Sequence, residues 1–187
     1  MKYSSDITKA QFEVATLKLS NHLRFLRYLL EHKWLVFLEA CKLGIPWRGL
    51  VHDLSKFSPQ EWQPRVAAMG NRAKDYQDAE GFYVAENVPD ELASSWLHHY
   101  HHNKHHWQWW VVLLDGKVYK VLPMTDEYRR EMLADWLAVA RMPGRQAMLP
   151  WYQENRDAML LHPETKQWVE EQLGLQTDKA CFKNTQP

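Results

Sequence analysis

Val51-His52-Asp53-Leu54-Ser55-Lys56-Phe57 lies between two helix signals and carries an imidazole and a carboxylate on adjacent residues. Upstream, Pro46 suits the first turn of a short helix that carries His52-Asp53 near its end. Downstream, Ser58-Pro59-Gln60-Glu61 reads as a capping box with proline at the first helical position, which predicts a helix from Pro59 to about Met69. Before the dyad, Phe12, Ala15, Leu19, Leu23, Leu26 and Leu30 recur at helical spacing between Ile7 and Glu31. The pattern continues helical from Lys33 to Leu43 and stops at Gly44, a good residue just past a helix end.

The rest of the chain reads the same way. Gly70–Asn87 is polar and turn-rich and suits a mobile loop over a site. Pro89 opens a helix through Trp96 into a histidine cluster. Two alternating runs within Val111–Val121 flank Asp115-Gly116, the one β-hairpin signal. Thr125 or Asp126 caps a helix to Arg141, broken by Pro143-Gly144, and further helices fall around Gln146–Leu161 and Glu164–Leu173. The predicted fold is all-α, a helical bundle with one small β-hairpin near 111–121. It forms a single domain over 1–175 with a polar tail at 176–187 that lacks periodicity and is expected to fray.

With 187 residues the chain can bury a real core. Its apolar and charged fractions, 45% and 25%, are those of an ordinary globular protein. Acidic and basic side chains balance at 23 each, so no overall charge draws the chain to nucleic acid. Its N-terminus has no signal-peptide apolar region, and the apolar run around Trp34–Ala40 is far short of a membrane span. Cys41 and Cys181 are the only cysteines, one in an apolar stretch and one in the tail, which argues against a disulfide framework. A cytoplasmic location follows as the expectation. Ten tryptophans are many; they suit cores and pocket walls, and exposed ones would support a homodimer.

Three companions turn the dyad into a candidate metal site. His32 lies twenty residues upstream. Trp96-Leu-His-His-Tyr-His-His-Asn-Lys-His-His-Trp107 holds six of the ten histidines. Asp135 sits in the oily helix Met132-Leu-Ala-Asp-Trp-Leu-Ala-Val139, where a carboxylate is costly unless paired or metal-bound. Imidazole and carboxylate together form a ligand set for one or two divalent ions. His22 stands ten residues before His32, about 80° away around a helix, and reads as structural or supporting. On a helix continuing past Asn103, His98, His102, His105 and His106 would share one stripe. Each histidine also has a plain reading as a helix-end or surface residue, and Glu131 with Arg130 could make Asp135 part of a surface charge row. Lys56, three residues past Asp53, is either solvated or a hook for phosphate.

His32, the dyad in His-Asp-Leu-Ser-Lys-Phe and Asp135 in Ala-Asp-Trp-Leu resemble the HD-domain superfamily of metal-dependent phosphohydrolases. The chain resembles still more an uncharacterised family of small HD-like proteins found largely in bacteria and their viruses. The motifs for that are His52–Phe57, His99–His106 and Glu131–Trp136, and the likeness covers roughly Leu19 to Trp168. The resemblance implies that His32, His52, Asp53 and Asp135 hold a first metal, and that His99 with His105 or His106 holds a second. It implies Mn, Fe, Co, Ni, Zn or Mg as cofactor and a small phosphorylated substrate, a nucleotide foremost. Lys56, Asp53 and His106 are then the candidates for catalysis, with histidines of the cluster protonating the leaving oxygen. The histidines crowd into nine residues here, unlike those of two-metal phosphodiesterases. Two rival expectations keep the fold: a di-iron oxygenase, and a non-catalytic module that binds a nucleotide.

Overall fold

The computed structural model describes residues 3–69, 75–77, 84–115 and 119–175, with side chains from residue 19 onward. Among them are seven α-helices and one two-stranded antiparallel sheet, so the protein is all-α with a small hairpin. The helices are α1 (Tyr3–Lys42), α2 (Pro46–Val51), α3 (Pro59–Ala68), α4 (Asp90–His102), α5 (Asp126–Ala140), α6 (Met148–Asn155) and α7 (Pro163–Gln172). Strands β1 (Val111–Leu113) and β2 (Tyr119–Val121) pair with Val111 opposite Val121. The expected helix ends hold: Gly44 adopts φ +75° just past α1, a conformation glycine takes without steric cost. The predicted loop at 70–87 falls mostly outside the described residues, as do Gly116 of the hairpin turn and the whole tail from Gln176.

The chain divides into two compact units, one of Met1–Trp34 and Asp53–Asn103, the other of Leu35–His52 and Lys104–Pro187. In the first unit the core is Phe25, Leu29 and Val66, with Tyr28, Trp62 and Met69 packed against it. Phe25 meets the edge of Trp62 at 4.9 Å between ring centroids, and α3 packs on α4. His22 accepts a 2.8 Å hydrogen bond from the Trp62 indole, which settles it as structural. The leucine ladder on α1 does not form this core: Leu19, Leu23 and Leu30 are more than half exposed. The buried residues are instead Phe25, Leu29 and His32, continued in the second unit by Val36 and Ala40. These follow one another at three- and four-residue steps, so they share a face. The polar His32 belongs to that face, and apolar spacing alone set the phase of the helix wrongly.

The second unit has two apolar clusters. Val36 and Ala40 of α1 pack on Ala134 and Ala138 of α5, where small side chains permit close helix approach. Gly49 of α2 takes this further: a Cβ there would lie 2.6 Å from the Ala40 Cβ and 2.9 Å from the Phe37 Cα. The larger cluster is Trp110, Met124, Met132, Met148, Tyr152 and Val169, joining α5, α6, α7 and the turn before β1. Among the described residues no helix is long and apolar enough to cross a membrane.

Candidate metal centre

In the second unit, His52, His105 and Asp135 each offer one ligand atom, and these atoms all lie within 4.8 Å of one another. His52 is the residue that ends α2, and its Nε2 lies 3.7 Å from Asp135 Oδ1. His105 follows α4 in the turn anchored by buried Trp110, whose indole donates to the Lys104 carbonyl at 2.7 Å. Its Nε2 lies 3.9 Å from Asp135 Oδ2. Both spacings exceed a hydrogen bond of about 2.7–3.2 Å. Two ligands about 2.1 Å from one ion, at tetrahedral or octahedral angles, stand roughly 3.0–3.4 Å apart, so a small inward movement would close this set on a cation.

Glu131, one turn before Asp135 on α5, hydrogen-bonds the His52 imidazole and faces that of His105. Its Oε1 lies 3.0 Å from His52 Nδ1 and 3.3 Å from His105 Nδ1, while Oε2 accepts from Arg48 at 2.8 and 2.6 Å. A carboxylate on Nδ1 holds the proton there and leaves the Nε2 lone pair toward Asp135, the second-layer arrangement common to metal-binding histidines. Burial opposes the charge on Glu131, but the bonds to His105 and His52 outweigh it and hold the carboxyl down to about 2. Glu131 is 1% exposed, so the surface-row reading of the Glu131–Asp135 stretch fails.

The first unit builds a similar arrangement around Asp53. Asp53 has φ +57°, among the described residues the single non-glycine with positive φ, and aspartate is one of the few residues that accept this conformation. Its Oδ2 lies 3.5 Å from His32 Nε2 and its Oδ1 lies 3.4 Å from His99 Nε2, near the separation of two ligands sharing an ion. Lys56, one turn on in the 3-10 turn Leu54–Phe57, is buried and pairs with Asp53 Oδ2. Behind His99 stands Glu61, fully buried, with Oε2 at 2.8 Å from His99 Nδ1 and Oε1 at 2.9 Å from His98 Nδ1. Burial works against the Glu61 charge, yet the bond to His99 and its partner charges bring the carboxyl to about 2. Burial also lowers the His99 pKa, against the pull of Asp53 and Glu61. Ser55 and Asn103 complete the surroundings of His99: the Asn103 amide donates to Ser55 Oγ at 2.7 Å and to the His99 carbonyl at 2.8 Å.

Within the first unit Asp53 lies against both His32 and His99, and within the second His52, His105 and Asp135 offer ligand atoms close to one another. The stripe expected of His98, His102, His105 and His106 does not exist, because α4 ends at His102 and Asn103 leaves the helical region at φ −124°. His102 is exposed with His101, and His98 stacks on His102 at 3.8 Å. His106 is half-buried beside His105, ring centroids 4.3 Å apart. Glu61 and Glu131 were not expected to support histidines. The Ser58–Glu61 spacing predicts a capping box, yet the Ser58 side chain makes no cap hydrogen bond and Glu61 turns inward. One glutamate can satisfy either role, and its spacing to the histidines, 38 residues for His99, gives no local sequence signal.

The donor chemistry fits a divalent ion in both units: imidazole nitrogens with a carboxylate, each backed by a buried glutamate. A family model described as a family of unknown function (DUF5662) matches residues 21–175, and the chain belongs to that family. No curated protein and no solved structure matches it.

Proposed function

We propose that this protein is a metal-dependent phosphohydrolase of HD type acting on small phosphate esters, nucleotides foremost. The observation that carries the reading is the doubled pattern of buried glutamate, imidazole and aspartate. Glu131 serves His52 and His105 facing Asp135, and Glu61 serves His99 facing Asp53. A glutamate spent on orienting an imidazole inside a protein makes sense where the other ring nitrogen must be kept free of a proton. His52, His105 and Asp135 would hold one ion, and His32, Asp53 and His99 a second. Divalent metal bound there supplies a water acidified toward neutral pKa and positive charge for the phosphoryl oxygens.

The chain's own residues account for the other parts. Lys56, held beside Asp53, neutralises a phosphoryl oxygen as an ammonium. The oxygen of water forms its bond to phosphorus and gives its proton to solvent, the ester P–O bond breaks, and the departing oxygen takes a proton from His106, which solvent replaces. Glu131 keeps the His52 imidazole in one tautomer throughout. The same nitrogen and oxygen donors also suit two irons, which supports the rival reading of an oxygenase using O₂.

Metal content and phosphate release from the full chain test this. Wild type should bind at least one divalent ion, and a screen of nucleotides with Mn, Co and Mg should release phosphate. His52→Ala and Asp53→Ala should each lose metal while keeping their helicity. Unchanged metal content in both variants refutes the site, and iron-dependent O₂ uptake without phosphate release hands the reading to the oxygenase.

A further inference from the structure

The second unit contains a cavity of about 310 Å³ whose walls include His105, His106, Trp107, Gln108, Trp136 and Trp151. His105 lines this cavity and also belongs to the His52–His105–Asp135 group, and Met132, which lines it too, lies one turn before Trp136 on α5. The volume is at the low end of small-molecule pockets, about 300–1,000 Å³, and so suits one ring system rather than an extended ligand. Three indoles line it. Trp136 and Trp151 meet edge to face, 5.4 Å apart at 62°, an arrangement that leaves one indole face uncovered by the other. The Asn155 amide donates to the Trp151 carbonyl at 2.8 Å and steadies that wall.

Gln108 supplies the specific feature. Its Oε1 is buried and has no hydrogen-bond partner among the described residues. A buried carbonyl oxygen without a donor is costly, and a site that leaves one open favours a ligand that brings an N–H to it. Aromatic walls bind planar rings by stacking on any π-face, while one amide reads the ring's edge.

We propose that this cavity is the subsite for a planar heteroaromatic ring carrying an N–H donor, which Gln108 Oε1 accepts. Resting on the hydrolase reading, it makes the base-bearing nucleoside the leaving group: the ring lies in the cavity and the ester oxygen reaches His106 at its wall. Ribose and phosphate alone would lack the anchor.

The test uses full-length protein stripped of metal with a chelator, so that binding of the ring is read without metal or turnover. Adenosine, guanosine, cytidine, uridine and benzimidazole are titrated by calorimetry and tryptophan fluorescence, with ribose 5-phosphate as the ring-free control. At least one ring compound should bind and quench fluorescence while ribose 5-phosphate does not. Gln108→Leu should weaken the best ligand by about tenfold or more, as loss of one buried hydrogen bond implies. Trp151→Phe should hold affinity within a few-fold, since a phenyl ring still stacks. Preference for nucleosides over benzimidazole assigns the subsite to a nucleotide base; the reverse overturns the nucleoside as leaving group. The proposal is overturned if no ring compound binds, or if Gln108→Leu binds as wild type does. Normal metal loading with no ring binding would refute the pocket alone, and ring binding without metal loading would refute the hydrolase reading alone.

Discussion

Glu131→Gln separates a glutamate that orients metal ligands from one that merely fills the core. The carboxylate accepts from Arg48 on one oxygen and faces two imidazole Nδ1 atoms with the other. Glutamine keeps one acceptor oxygen and turns the other into a donor. With its NH₂ toward the imidazoles, Nδ1 must become an acceptor and the proton moves to Nε2, the atom needed for metal. With its NH₂ toward Arg48, two donor groups meet and a charge-assisted pair is lost. Such a bond is worth about 1.5–3 kcal/mol, less here because the Arg48 side chain is a quarter exposed, so the metal-free protein should lose about 1–2 kcal/mol. Loss of a second-layer partner weakens metal binding by about 10–100-fold, or roughly 1.4–2.7 kcal/mol. Denaturant melts of chelated protein measure the first effect, and titration against a competing chelator measures the second. Glu39→Gln is the control: Glu39 is also buried and also paired with arginine, through Arg141, but touches no predicted ligand. It should lower stability and leave metal affinity unchanged. If Glu131→Gln binds metal within twofold of wild type, Glu131 does not set the tautomers, and the reasoning for the whole second-unit group fails.

Asp53→Asn keeps a side chain that tolerates φ +57° and should leave the fold intact while removing most metal from the first group, as metal analysis of the purified variant would show; normal loading would remove Asp53 from the ligands. Gly49→Ala places a methyl 2.6 Å from Ala40 and should cost about 1–3 kcal/mol in a urea melt, a loss that Ala40→Gly in the same chain should partly recover. Burial raises the Glu39 pKa, but Lys42 and Arg141 hold it below its ordinary value near 4.5. Its stabilisation is therefore complete above that value and lost as pH falls through the lower folded one, and a urea midpoint followed from pH 7 to 3 should drop less in Glu39→Gln than in wild type. Saturating metal at about 100 times its Kd should add about 2.7 kcal/mol over chelated protein, which for a chain of this size raises Tm by roughly 5–10 °C; no shift with any divalent ion would count against resident metal.

Helices were legible because each carries its own punctuation. Gly44 ends α1, Pro46 and Pro59 open α2 and α3, and Asp115 marks the hairpin, all within a few residues of the element concerned. The face each helix turns inward was less legible. On α1 the apolar ladder of Leu19, Leu23 and Leu30 is a better hydrophobic pattern than the true buried face, which includes a histidine. A polar residue placed inward for chemistry weakens the very periodicity by which its face would be found.

That same conflict explains what was missed at the site. His32, His52, Asp53, His99, His105 and Asp135 were visible because histidine and buried aspartate are rare enough to be noticed one at a time. Glutamate on a helix is common, so Glu61 looked like a cap and Glu131 like a surface charge. Their role exists only in three dimensions, where burial works against the charge but neighbouring imidazoles hold both carboxyls near 2, well below an exposed glutamate. Asp53 shows the converse. Its sequence context named it as a ligand but gave no hint that its backbone would be left-handed, or that the peptide bond between His52 and Asp53 is where the chain passes from the second unit to the first. A residue with φ +57° cannot continue the turn that ends at His52, so the dyad's two side chains are released from helical geometry and each can serve the histidines and carboxylates of its own unit.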